Sequence, residues 1–128
     1  MEQMFDRQQT GRAGEDRACS YLESVGHRIL ERNWRGGHLE IDIITLADDG
    51  VHFVEVKTRT APVQAAPEEN VGPVKQRKVT AAALRYLNTY GRDLGDDVEA
   101  FFDVVSVVFD GDKETIDYFP SAWVPIYV

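Results

Sequence analysis

The run FFDVVSVVF at positions 101–109 carries apolar side chains at odd and even positions alike. Successive side chains of a strand point to opposite faces, so a strand apolar on both faces must be covered on both. That marks a buried central strand and demands layers above and below it. Upstream, VKQRKVTAAALRYLNTYG places Val79, Ala83, Tyr86 or Leu87, and Tyr90 on one stripe of a helix. Pro73 suits its first turn and Gly91 its end. Before that helix, VHFVEVKTRT at 51–60 reads as a strand from its β-branched and aromatic content. Strand, helix and strand in this order make a right-handed crossover, with the two strands parallel in one sheet.

Around this unit the pattern is equally plain. GRAGEDRACSYLESVG sets Ala18, Tyr21, Leu22 and Val25 at helical spacing, with Thr10 as N-cap and Gly26 as the stop. HRILERNW is a short strand. LEIDIITL alternates cleanly, and ADDG turns it into the 51–60 strand as a hairpin. APVQAAPEENVGP and the acidic RDLGDDVEA lack periodicity and read as loops. DGDK leads into ETIDYF, an edge strand, and the terminal WVPIYV either packs on the chain's own core or forms a subunit contact. The expected architecture is α/β: a mixed sheet with an α-β-β-β-α-β core, one further strand and flanking helices, in a single domain over residues 1–128.

Composition narrows the function classes. A chain of 128 residues suffices for one core. The lone cysteine, Cys19, allows no internal disulfide and suits a reducing cytoplasm, the expected location. Its helical position makes it packing rather than a nucleophile. No apolar run is long enough to span a bilayer, and the polar start MEQMFDRQQT lacks a signal-peptide core, so no membrane partner is expected. The net charge of −8 argues against nucleic acid until it is mapped. Residues 1–92 balance 13 Lys and Arg against 13 acids, while residues 93–128 hold Lys113 alone against nine acids. The negative excess lies entirely in the last third.

The chemistry gathers on the hairpin. Glu55 and Lys57 share one strand face, with Val54 and Val56 on the other. If Leu46 faces Val51, Asp42 lies opposite Glu55; if Asp49–Gly50 is a two-residue turn, Asp42 faces Lys57 instead. Either register puts Asp42, Glu55 and Lys57 on one face, roughly 4.5 to 8 Å apart between Cβ atoms, provided the loop is even. Glu40 joins them by alternation. Glu55 and Lys57 alone would read as an ion pair on a sheet edge. Clustered acids, however, repel unless neutralised, and a divalent cation does so directly. Mg2+ takes one or two carboxylates and keeps waters for a phosphate substrate. A neighbouring lysine then orients water and stabilises phosphate charge.

GRAGEDRA, RNWR, EIDII, FVEVKTR, KQRKVTAAALRYL and FDVVSV occur in this order. Together they resemble the YraN-type family of small bacterial proteins, within the PD-(D/E)xK, restriction-endonuclease-like superfamily and akin to Holliday-junction resolvases. The resemblance implies that fold, with Asp42 as first metal acid and Glu55 and Lys57 as the acid and lysine of the signature. It also implies Glu15 as a helical acid added to the site and Lys75 as the basic residue heading the second helix. Where an arginine often precedes FDVV in the family, this chain has Phe101.

The expected function is phosphodiester hydrolysis with Mg2+ or Mn2+. Asp42, Glu55 and the Val56 carbonyl would hold the ion, Lys57 would position water, and Glu15 or Glu40 would complete the shell. The alternative is a nucleic-acid-binding or assembly module that keeps the fold with little turnover. Candidate phosphate contacts are Lys75, Arg77, Lys78, Arg85, Arg28, Arg32, Arg35 and Arg59, a solvated face being the other reading of each. Trp34 either stacks on a base or anchors the core. His52 alternates away from Glu55 and is set aside. The expected partners are nucleic acid, DNA before RNA, and a second copy of the chain.

Overall fold

The computed structural model describes residues 7–62, 71–95 and 97–125. The elements are α1 (Arg7–Ser24), β1 (Arg28–Gly36), β2 (Leu39–Ala47), β3 (Gly50–Thr60), α2 (Pro73–Tyr90), a 3-10 turn (Gly91–Leu94), β4 (Ala100–Asp110) and β5 (Lys113–Trp123). The strands form one sheet in the order β1-β2-β3-β4-β5. β3 and β4 are parallel, joined through α2, and every other neighbouring pair is antiparallel. This is the mixed α/β sheet expected, and it is consistent with a restriction-endonuclease-like fold.

The two-faced burial of β4 explains the layers. Phe102 packs with Val51, Phe53, Val79, Ala83 and Tyr86 beneath α2. Val105 and Val107 pack with Val54, Ala18 and Leu22 beneath α1. The helices thus cover opposite faces of the sheet. Cys19 is buried in the α1-side core, where it serves as packing. Trp123 lies over Phe102, ring centroids 4.4 Å apart, so this part of the C-terminal segment packs on the chain's own core.

Some local expectations change. α1 begins at Arg7, so Thr10 lies inside the helix and is no N-cap; Arg and Gln residues ahead of it continue the helix readily. Val25 and Tyr90 are exposed rather than part of the buried stripes, because each helix has ended or is ending there. Gly26 does stop α1: at φ 99° it lets the His27 N–H bond back to the Leu22 carbonyl at 2.9 Å. β5 is longer than ETIDYF and runs on to Trp123. Most of the APVQAAPEENVGP loop, Asp96 in the acidic loop and the last three residues of WVPIYV lie outside the described residues. Among the described residues no helix is long and apolar enough to cross a membrane.

Gly14 fixes how closely α1 approaches β3. A Cβ built there would overlap the Thr58 side chain. Gly14→Ala should therefore cost about 1–3 kcal/mol in urea unfolding, as overpacking does, and Thr58→Ala in the same chain should recover part of it.

Candidate active site

The site begins with a crease in the sheet. Arg32 and Trp34, two residues apart in β1, should share a face. Instead Arg32 reaches Asp16 of α1 at 2.7 Å, while Trp34 packs edge-on against Tyr86 of α2, centroids 5.4 Å apart. Their partners in β2 divide in the same way: Ile43 enters the α1-side core and Ile41 the α2-side core. Between them lie Asn33, at φ 50°, and Asp42. Asparagine tolerates this left-handed conformation, and the twist it introduces turns both strands over. Asp42 therefore sits where both helices can reach it.

The hairpin register is the one in which Leu46 faces Val51. The paired residues run from Ala47–Gly50 to Ile43–Val54. One step further, Asp42 turns its carboxylate onto β3, and the Val56 N–H donates to Oδ2 at 2.9 Å. The Asp42 charge acts directly on the Glu55 carboxyl. Lys75, in the first turn of α2, places Nζ 3.5 Å from Glu55 Oε2. Lys57 lies on the Glu55 side of β3 by strand alternation. From the other face, α1 brings Glu15, whose carboxyl comes near the Asn33 side chain and feels the Asp42 charge. Glu55 Oε1 and Glu15 Oε2 are buried without a hydrogen-bond partner among the described residues.

Electrostatics follow from this crowding. Burial, then the Asp42 charge, push Glu55 up to about 7 against the pull of Lys75. Burial raises Asp42 too, although the Val56 N–H and Lys75 oppose it. Glu15 is raised by burial and by Asp42. A carboxyl whose folded pKa exceeds its unfolded value stabilises the fold below the unfolded value and loses that stabilisation as pH rises through the folded one. From 4.5 to about 7, the metal-free protein should therefore lose stability as pH rises. Glu55→Gln should flatten the dependence of urea midpoint on pH across that window.

Comparison with known proteins identifies this arrangement's lineage. Residues 14–107 match the model of the Uncharacterised protein family UPF0102. The chain belongs to UPF0102. A UPF0102 protein of Myxococcus xanthus is 41% identical over 118 residues, covering 92% of this chain and 91% of that one. Another, from Bacteroides thetaiotaomicron, is 36% identical over 122 residues, covering 95% and 98%. Among solved structures, Pyrococcus furiosus SfsA in complex with Ca2+ is similar over 98% of this chain and 67% of that chain. Its 16% identity and TM-score of 0.39 are too low to carry an argument.

In this UPF0102 chain the other candidates separate. Glu40 is exposed and pairs with Arg35 at 3.8 Å. Among the described residues no three His, Cys, Asp or Glu side chains form a metal-ligand cluster, so the acid core is the Asp42–Glu55 pair. Arg77 and Lys78 are exposed on α2, and Arg59 is half-buried near the end of β3. Arg85 donates from Nη1 to the Gly36 carbonyl at 3.3 Å, tying α2 to the β1–β2 hairpin. Arg32 is taken by Asp16 and Trp34 by Tyr86, both structural contacts.

Sequence reasoning missed Asn33 and Gly14, which bring Asp42 and α1 into place. Asn33 carried one signal, its tolerance of positive φ. It also missed a buried knot elsewhere on the sheet. His52 Nδ1 is 2.5 Å from Asp103 Oδ2, and His52 Nε2 is 2.7 Å from Asp49 Oδ1. Phe101 stacks on the His52 ring, with centroids 4.8 Å apart.

Proposed function

We propose that this UPF0102 protein is a metal-dependent nuclease acting on phosphodiester bonds, of DNA before RNA. One observation carries the reading: two interacting carboxyls, Asp42 and Glu55, lie on neighbouring strands, with Glu55 Oε1 buried and without a hydrogen-bond partner among the described residues. A buried acid oxygen without a donor is costly unless a cation meets it. A pair of carboxylates fits Mg2+ or Mn2+, which need only one or two and take water and phosphate oxygens besides. Asp42, Glu55 and the Val56 carbonyl would hold the ion, with Glu15 or Glu40 completing the shell. When bound, such an ion lowers the pKa of water and neutralises charge building on a phosphate.

The chain's own groups do the rest. The Val56 N–H fixes the Asp42 carboxylate, so its second oxygen keeps a set direction. Lys57 orients the attacking water and donates to a phosphate oxygen as negative charge develops there. Lys75, Arg77, Lys78, Arg59 and Arg35 would meet the phosphates flanking the scissile bond. Lys75 also supports the second reading, a binding or assembly module with little turnover. As it stands, its ammonium already offsets the acid pair without any metal.

The test is a cleavage panel in Mn2+ with single-stranded, duplex and branched DNA and RNA, each repeated in chelator. Metal-dependent cleavage of at least one substrate supports the nuclease. Binding without cleavage of any substrate supports the module.

A further inference from the structure

We propose that Lys75 is the resident counter-ion of the Asp42–Glu55 pair, that a divalent cation must displace its ammonium to enter, and that the displaced ammonium then takes a substrate phosphate. This rests on the metal-site reading above and gives that site an order of events. Lys75 Nζ lies 3.5 Å from Glu55 Oε2. Its side chain is 49% exposed while that of Glu55 is 11% exposed. The carboxylate is therefore fixed inside and the ammonium stands at the mouth, on a flexible four-carbon stem that can swing outward. The same ammonium acts on Asp42 as well as on Glu55.

A lysine gives a poor final match to this pair. It approaches one oxygen of Glu55 and leaves Oε1 buried without a hydrogen-bond partner among the described residues. A small divalent ion can draw on both acids at once. Ammonium and metal compete for the pair, since like charges drawn to the same oxygens repel. Their exchange is a competition between cations, and it leaves Lys75 free beside the ion. Pro73 starts α2 two residues before it, so the stem swings from a fixed helical turn. Metal and phosphate binding are thereby coupled through one side chain, each favouring the other.

Two measurements on the full chain test this. First, Mg2+ is titrated by calorimetry into the wild type, Lys75→Met and Glu55→Gln at pH about 9, where carboxyls are ionised. Lys75→Met should bind Mg2+ about tenfold more tightly than the wild type, in line with the effect of removing one charge at this range. Glu55→Gln should lose the binding. Equal or weaker Mg2+ binding by Lys75→Met, with Glu55-dependent binding by the wild type, overturns the displacement and leaves the metal site standing. No Glu55-dependent binding in any variant overturns both. Second, duplex binding is followed against salt with and without Ca2+. With Ca2+, Lys75→Met should flatten the slope of log affinity against log salt by about 0.9, one phosphate contact. Without a divalent ion the slope should not change. The same loss in both conditions overturns the exchange, because Lys75 would then have been on the phosphate throughout.

Discussion

Replacing Asp103 with alanine should destabilise the fold by about 3–5 kcal/mol, the cost of leaving a buried charge unpaired. Asp103 is 1% exposed and accepts three hydrogen bonds. His52 Nδ1 and the Tyr118 hydroxyl both meet Oδ2 at 2.5 Å, and the Ser121 N–H meets Oδ1 at 2.9 Å. One carboxylate therefore ties β3, β4 and β5 together. Burial alone would pull the His52 imidazole down, but Asp103 and Asp49 more than reverse this and hold it above its usual value. Removing Asp103 strands the imidazole, a phenol and an amide together. Urea midpoints at constant slope would give the value directly. A cost under about 1 kcal/mol would mean water or Asp49 replaces the lost acceptor.

The largest effect on activity should come from Asp42→Asn and Lys57→Ala. Each should reduce metal-dependent cleavage by about 10²–10⁴-fold, the range for losing a group that acts in the transition state. Neither change removes a core side chain, so far-UV circular dichroism should be unchanged. Single-turnover rates on whichever substrate the wild type cleaves would measure the loss. Lys57→Ala retaining wild-type rates would remove the lysine from the mechanism.

What the sequence revealed follows physical rules of range. The hairpin joining β2 and β3 was legible because Asp48 and Asp49 make a tight turn that sets register, leaving Asp42 and Glu55 as neighbours. The parallel pairing of β3 with β4 was legible because an apolar strand after a helix has one sensible place. Its register was not, since no short turn links the two, and so the approach of His52 to Asp103 stayed hidden. Asp103 nevertheless left a trace, as the lone acid in an apolar run, and a buried acid requires partners. The crease at Asn33 was not legible at all. Side-chain alternation assumes an even pleat, and one positive φ breaks it without changing the hydrophobic pattern. That break lets Glu15 of α1 act on Asp42, while Glu55 and Lys75 meet it from the α2 side.

The most direct measurement is anomalous scattering from crystals of the wild-type protein grown or soaked in Mn2+. An anomalous peak is expected between the Asp42 and Glu55 carboxylates, within reach of the Val56 carbonyl, with the Lys75 ammonium moved away from Glu55. No peak at the acid pair, with Lys75 still on Glu55 at saturating Mn2+, would contradict that expectation.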